Sequence, residues 1–159
     1  MNNFVRASTP NDMPQVLELI KELAAFEKEP DAVNVTVETL IEEGFGKDPL
    51  FTCFVAEVEG EIVGMALIYY RFSTWKGRAL HLEDLIVKDK MRSSGIGKAL
   101  YTRVIQFAAE KKVKRIEWAV LNWNVGAIKF YERSGAVVMK DWYIAQMDEA
   151  GIKRYLENN

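Results

Sequence analysis

Arg92-Ser93-Ser94-Gly95-Ile96-Gly97 opens a segment in which Ile96, Leu100, Val104 and Phe107 recur along one stripe of a helix. Glycines at a helix mouth let backbone N–H groups approach a ligand closely, and the helix dipole favours negative charge there, so these residue types suit anion binding. Two phosphate motifs can be set aside. A P-loop needs a glycine where Arg92 stands and a hydroxyl where Ala99 stands, and a dinucleotide fingerprint needs a glycine at Leu100. A second cluster lies just upstream in "HLEDLIV", where Glu83 and Asp84 are adjacent carboxylates in an otherwise apolar run. Strand alternation predicts that they point to opposite faces, so that at most one lines any given site. His81 is the lone histidine and shares a face with Glu83, where it could tune that carboxylate, although such a histidine is more often structural. Cys53, the lone cysteine, sits in the apolar run "FTCFVAEV" and reads as a buried thiol rather than a nucleophile. With one histidine and one cysteine and no ligand spacing, no metal site is expected.

The elements that position these residues follow from length and patterning. A chain of 159 residues with 49% hydrophobic content has the size of one domain, and residues 1–159 are read as a single unit. Lys and Arg total 21 against 23 acids, for a net charge of −2, and no extended basic run is present to meet a nucleic-acid backbone. No apolar stretch is long enough for a membrane span, and "MNNFVRASTPND" lacks a signal-peptide pattern, so a cytoplasmic protein without a membrane partner is expected.

"FVRAS" predicts a first strand and "MPQVLELIKELAAFEKE" a helix on the spacing of Val16, Leu17, Ile20, Leu23 and Ala24. Thr36 caps a second short helix, "VETLIEEGF", before a hairpin of "FTCFVAEV" and "IVGMALIYYRF" about the turn "EGE". "ALHLEDLIV" continues as a strand, the anion-binding segment as a helix and "RIEWAVL" as another strand. "GAIKFYERSG" then gives a short helix, for which Asn124 is a candidate cap, and "AVVMKDWYIAQM" a last strand. Hairpins mixed with two helical crossovers predict an α/β (α+β) fold, a mostly antiparallel mixed sheet with helices on both faces.

Arg92 to Gly97 also resembles the Q/R-x-x-G-x-G/A signature of the GNAT superfamily of acetyl-CoA-dependent N-acetyltransferases. "LIKELAAFE", "EEGFGKDP", "FVAEV", "HLEDLIV", "NWNVGAIKFYERSGA" and "DWY" are similar to its diamine (spermidine/spermine) and thialysine acetyltransferase branch, and the similarity runs along nearly the whole chain. The resemblance implies that Arg92, Ser93, Ser94, Gly95, Ile96, Gly97 and Lys98 hold the CoA pyrophosphate, and that Leu85, Ile86 and Val87 pair with the pantetheine arm. It adds Asn124 and Ala127 as CoA contacts. It also implies that Glu83 draws the proton from the substrate amine through water, that Asp84 holds the substrate cation and that Tyr131 is the general acid toward the CoA sulfur. Phe26, Glu27, Trp75, Glu117 and Trp118 are implied to line the amine site.

Acetyl-CoA is then the cosubstrate, without a metal, and the resemblance implies a homodimer formed through "DWYIAQMDEAGIKRYLENN". A site lined by acids suits an amine with more than one charge. "FSTWKG" carries Ser73 and Thr74 where polyamine-specific members carry additional acid, so a thialysine-like or lysine-like amine competes with diamines and polyamines. Acetylation of protein amines and a CoA-binding module without activity are the alternatives.

Overall fold

The computed structural model describes residues 4–158; of the segments discussed above, Met1 to Asn3 and Asn159 lie outside it. The central apolar stretch folds as two successive hairpins. β2 (Thr52–Val58) turns through Glu59 and Gly60, both with positive φ, into β3 (Glu61–Ser73), and β3 turns at Ser73 to Gly77 into β4 (Gly77–Val87). A two-residue loop with both residues left-handed matches the twist of the strands it joins. β1 (Val5–Ala7) adds to β2, and β5 (Arg115–Glu117) adds to β4 in parallel, giving the order β1-β2-β3-β4-β5 with every other pairing antiparallel.

Alternation along β2 builds both faces of this sheet. Cys53 and Val55 join Met65 and Leu67 of β3 in a core closed by Met13, Val16, Leu17 and Leu19 of α1 (Met13–Phe26) and by Leu40 of α2 (Val37–Phe45). Phe54 takes the other face, edge-on to Phe107 of α3 (Ile96–Glu110) with ring centroids 5.6 Å apart. Leu100 and Val104 of α3 are wholly buried, each worth about 1.5–3 kcal/mol of apolar transfer. The Arg6 guanidinium grips Asp12 at 2.8 Å and Glu57 at 2.7 Å, tying β1 to β2 and to the start of α1; it holds the Asp12 carboxyl down at about 2. Helices thus flank both faces, as the patterning predicts.

The chain forms two compact units, one up to Ala119 and one from Val120. The first holds the sheet and α1 to α3. The second holds α4 (Val125–Arg133) and α5 (Glu149–Glu157). Two expectations are corrected here. "RIEWAVL" is a strand only over Arg115–Glu117, and "AVVMKDWYIAQM" forms no strand among the described residues. A strand needs a neighbour for its N–H and C=O groups as well as an apolar pattern. α5 was not expected from the sequence; Asp148 caps it by accepting from the Gly151 N–H at 2.7 Å. Among the described residues no helix is long and apolar enough to cross a membrane.

Candidate active site

β4 carries an irregularity that decides the chemistry. Leu67 of β3 pairs with Asp84 and Ile68 with Leu82, so Glu83 is an extra residue without a partner in register, a β-bulge. Partners across antiparallel strands share a face. Asp84 therefore shares that of Leu67, and His81 shares that of Tyr69, the same α1-facing side. Glu83 is on this side too, because its Oε2 accepts from the Tyr69 hydroxyl at 2.8 Å and lies 3.4 Å from His81 Nε2. The expectation that alternation separates Glu83 from Asp84 is overturned: the bulge resets the alternation and brings both carboxylates to one face.

Their surroundings differ. Burial first, then the neighbouring Glu83 and Glu27 carboxylates, raises the Asp84 carboxyl to about 6. Glu27, just past the end of α1, is itself raised by desolvation. Because the fold favours neutral Asp84, its contribution to stability is complete below the ordinary carboxylate range and is lost as pH rises toward about 6. Asp84→Asn is therefore expected to raise stability at pH 8 by up to about 3 kcal/mol and to leave it unchanged at pH 4. Thermal or urea unfolding at the two pH values checks this; a uniform shift at both would show that charge is not the cause.

A chain of polar groups runs from this cluster along the sheet. His81 Nδ1 lies 3.4 Å from the Arg71 guanidinium, and the His81 ring is tilted against Tyr69 with centroids 5.1 Å apart. Arg71 meets Glu117 at 2.7 Å, and Arg115 meets the other Glu117 oxygen at 3.0 Å. Glu117 is thus engaged by two arginines, which offset its charge toward a substrate cation. Trp118 beside it packs edge-on to Tyr101 at 5.9 Å. Trp75 stands at the β3–β4 turn, 79% exposed, where the Ser73 hydroxyl accepts from the Trp75 and Lys76 N–H groups. Cys53 is 2% exposed and burial pushes its thiol up to about 12, in keeping with an inert buried residue.

Tyr69 and Arg71 were not singled out from the sequence. The i, i+2 spacing in "YYRF" puts them on one face, but only the register of the second hairpin sets them beside His81 and Ala79.

The head of α3 is where the anion-binding expectation falls. Gly95 is left-handed at φ 88°, a conformation that suits glycine, and Ser93 at φ 63° shares it. The first N–H groups of a helix have no partner within it. In α2, α4 and α5 a cap side chain takes one of them; at α3 the cap is Gly95, which has none, and the first turn holds no acid. The Ser94 hydroxyl turns back to the Met91 carbonyl, and Arg92 lies over the Phe26 ring at 4.8 Å, tying this loop to the end of α1. Beside it, β4 from Leu82 onward has no strand partner on its β5 side among the described residues, because β5 pairs only with Ala79 to His81. That leaves one side of Leu85, Ile86 and Val87 with main-chain groups able to pair with an extended ligand arm. An uncapped helix start thus lies beside a strand edge without a ladder partner. Among the described residues no group of three or more metal-ligating side chains converges.

In the second unit, Asn124 caps α4 by accepting from the Ala127 N–H at 3.3 Å, so its side-chain oxygen serves the helix. Tyr131 is the buried residue of α4, 9% exposed, its ring edge-on to Phe130 at 5.4 Å.

The sequence model of the Acetyltransferase (GNAT) family matches residues 14–136. A thialysine N-epsilon-acetyltransferase from Bos taurus is 39% identical over 141 residues, covering 84% of this chain and 83% of its own length. One of the same name from Caenorhabditis elegans is 35% identical over 99% of both chains. Among solved structures, an integron cassette protein from the mobile metagenome of V. cholerae shares the fold with a TM-score of 0.79 at 18% identity over 99% of both chains. The chain belongs to the GNAT family and is an acetyl-CoA-dependent N-acetyltransferase.

Proposed function

We propose that the acetyl acceptor is the primary amine of a small, doubly charged molecule, a lysine-like or thialysine-like ω-amine first and a diamine or polyamine second. The observation that carries this is the bulge at Glu83, which sets Glu83 and Asp84 on one face with Glu27 nearby and makes that face a site for an ammonium. Lys76 at the hairpin end suits a substrate carboxylate, and the bovine and nematode relatives are named for thialysine. Acetyl-CoA supplies the acetyl group as a thioester: the nitrogen–carbonyl bond forms, the carbon–sulfur bond breaks, and the amine's surplus proton leaves as the thiolate gains one.

Glu83 takes the proton from the ammonium, through water, and Asp84 holds the substrate cation. Tyr131 protonates or hydrogen-bonds the departing sulfur. Residues 92 to 98 bind the pyrophosphate, Leu85 to Val87 the pantetheine arm, and Asn124 and Ala127 add contacts. Phe26, Trp75 and Trp118 surround the amine's apolar stem, while Glu117 orients Arg71. The family match crosses the boundary at Ala119, which supports reading both units as one acetyltransferase domain.

Two copies pair through the C-terminal segment in this reading. Its support is the exposed apolar series Val137, Met139, Trp142, Tyr143, Ile144 and Met147, with Tyr143 95% exposed. Thiol release from acetyl-CoA, measured with lysine analogues, diamines, polyamines and a lysine-containing peptide, tests the substrate. kcat/KM should be highest for a lysine-like ω-amine; highest activity on the peptide would replace a small molecule with a protein amine. Light scattering of the same sample should give a dimer, and monomer alone would overturn the pairing.

A further inference from the structure

We propose that Arg71 and His81 are positioning residues for Glu83, holding its carboxylate so that one oxygen is committed to the protein and the other is left for the amine. The geometry is directional. A guanidinium can only donate, so Arg71, 3.4 Å from Nδ1, requires that nitrogen to accept, and the neutral imidazole then carries its proton on Nε2. Nε2 lies 3.4 Å from Glu83 Oε2, the oxygen that also accepts from the Tyr69 hydroxyl. The Tyr69 hydroxyl thus donates to Oε2, and the same oxygen faces His81 Nε2. Arg71 is fixed in turn by Glu117 at 2.7 Å, and Glu117 by Arg115 at 3.0 Å.

Glu83 needs such support more than its neighbours do. It is the unpaired residue of a bulge and it is exposed, so neither ladder nor packing selects its rotamer. The charged and titratable groups around it come from four elements: Tyr69 and Arg71 of β3, His81 and Asp84 of β4, Glu117 of β5 and Glu27 after α1. Among the described residues Tyr69 donates to it and His81 Nε2 faces the same oxygen. Loss of either leaves a folded sheet whose base is free to turn toward solvent.

The inference rests on Glu83 being the base, and the test separates the two. Steady-state kinetics with acetyl-CoA and the best amine of the panel are compared for His81→Phe, His81→Gln, Arg71→Met and Tyr69→Phe, each alone and in a Glu83→Gln background. His81→Phe should lower kcat about 10-fold with KM for acetyl-CoA unchanged, the scale of a lost polar contact to a charged group. His81→Gln, which can still donate near the Nε2 position, should recover most of that loss. Arg71→Met should lower kcat by a smaller factor, and not further once His81 is Phe. In the Glu83→Gln background none of these changes should cost more. Equal losses for His81→Phe and His81→Gln, or full additivity with Glu83→Gln, would overturn the positioning role. If Glu83→Gln alone keeps wild-type turnover, the base assignment fails and the positioning role falls with it. If Glu83→Gln is impaired while His81→Phe and Arg71→Met keep wild-type kcat, only the positioning role fails.

Discussion

Gly97→Glu is expected to weaken acetyl-CoA binding about 100-fold or more while leaving the protein folded. A Cβ built at Gly97 would meet only the Val87 Cγ2 atom, at 3.6 Å, an ordinary contact, and Gly97 is not left-handed. The fold therefore does not demand glycine there, in contrast to Gly95 at φ 88°. What an absent side chain gives at position 97 is access to the first-turn N–H groups, the part of the helix where anions are best placed. A carboxylate at that point fills the approach and opposes a pyrophosphate with like charge, at a cost of several kcal/mol for unit charges in contact near a surface. Gly97→Ala should fold equally well and lose far less affinity. Calorimetry with acetyl-CoA on the two variants, beside their thermal melts, measures both parts. Unchanged affinity in Gly97→Glu would remove the head of α3 from the binding site.

That helix mouth was legible in the sequence because its signal is local: glycines at fixed offsets before an apolar stripe are enough. The same holds for α1, for the Thr36 cap of α2 and for the hairpin of β2 and β3 about its short turn. What was not legible depends on partners far away. The last strand was read from "AVVMKDWYIAQM" on β-propensity alone, and propensity describes a fit to a neighbouring strand that this segment does not have within the described chain. β5 stops at Glu117 for a related reason: it pairs only with Ala79 to His81, which leaves β4 from Leu82 onward without a strand partner on that side among the described residues.

The acidic cluster shows the same division at the scale of one residue. Two adjacent carboxylates in an apolar strand are visible in "HLEDLIV", but the bulge is a property of the pairing with Leu67 and Ile68, and alternation alone assigned the faces wrongly. Asp84 moves toward neutrality first because it is buried and then because Glu83 and Glu27 are near it. A site able to attract a cation is thereby held together at some expense in stability, as functional sites commonly are. The contrast with Asp12 is direct: an acid of the same type, also buried, is held down at about 2 because Arg6 faces it, whereas Asp84 faces two carboxylates. Glu117, expected among the acids of the amine site, also faces Arg71 at 2.7 Å and Arg115 at 3.0 Å.

Tyr131→Phe is expected to lower turnover about 100-fold with acetyl-CoA affinity nearly unchanged. The thiolate that departs from the thioester gains negative charge, and a phenol within reach can give it a proton or a hydrogen bond, an effect of this order for a single general acid. Substitution by phenylalanine keeps the ring and removes only the donor. The ring has a separate duty: it is 9% exposed and edge-on to Phe130, and the Tyr131 carbonyl accepts from the Ser134 hydroxyl at 2.6 Å near the end of α4. Tyr131→Ala should therefore lose about 3–5 kcal/mol of stability as well as turnover, the usual cost of removing a buried aromatic side chain. The two variants separate the two duties, since under the proposed role the hydroxyl governs kcat while the ring governs the melt. Steady-state kinetics and thermal melts on both decide the matter. A fully active phenylalanine variant would reduce Tyr131 to a packing residue and leave the departing thiolate to be protonated by water.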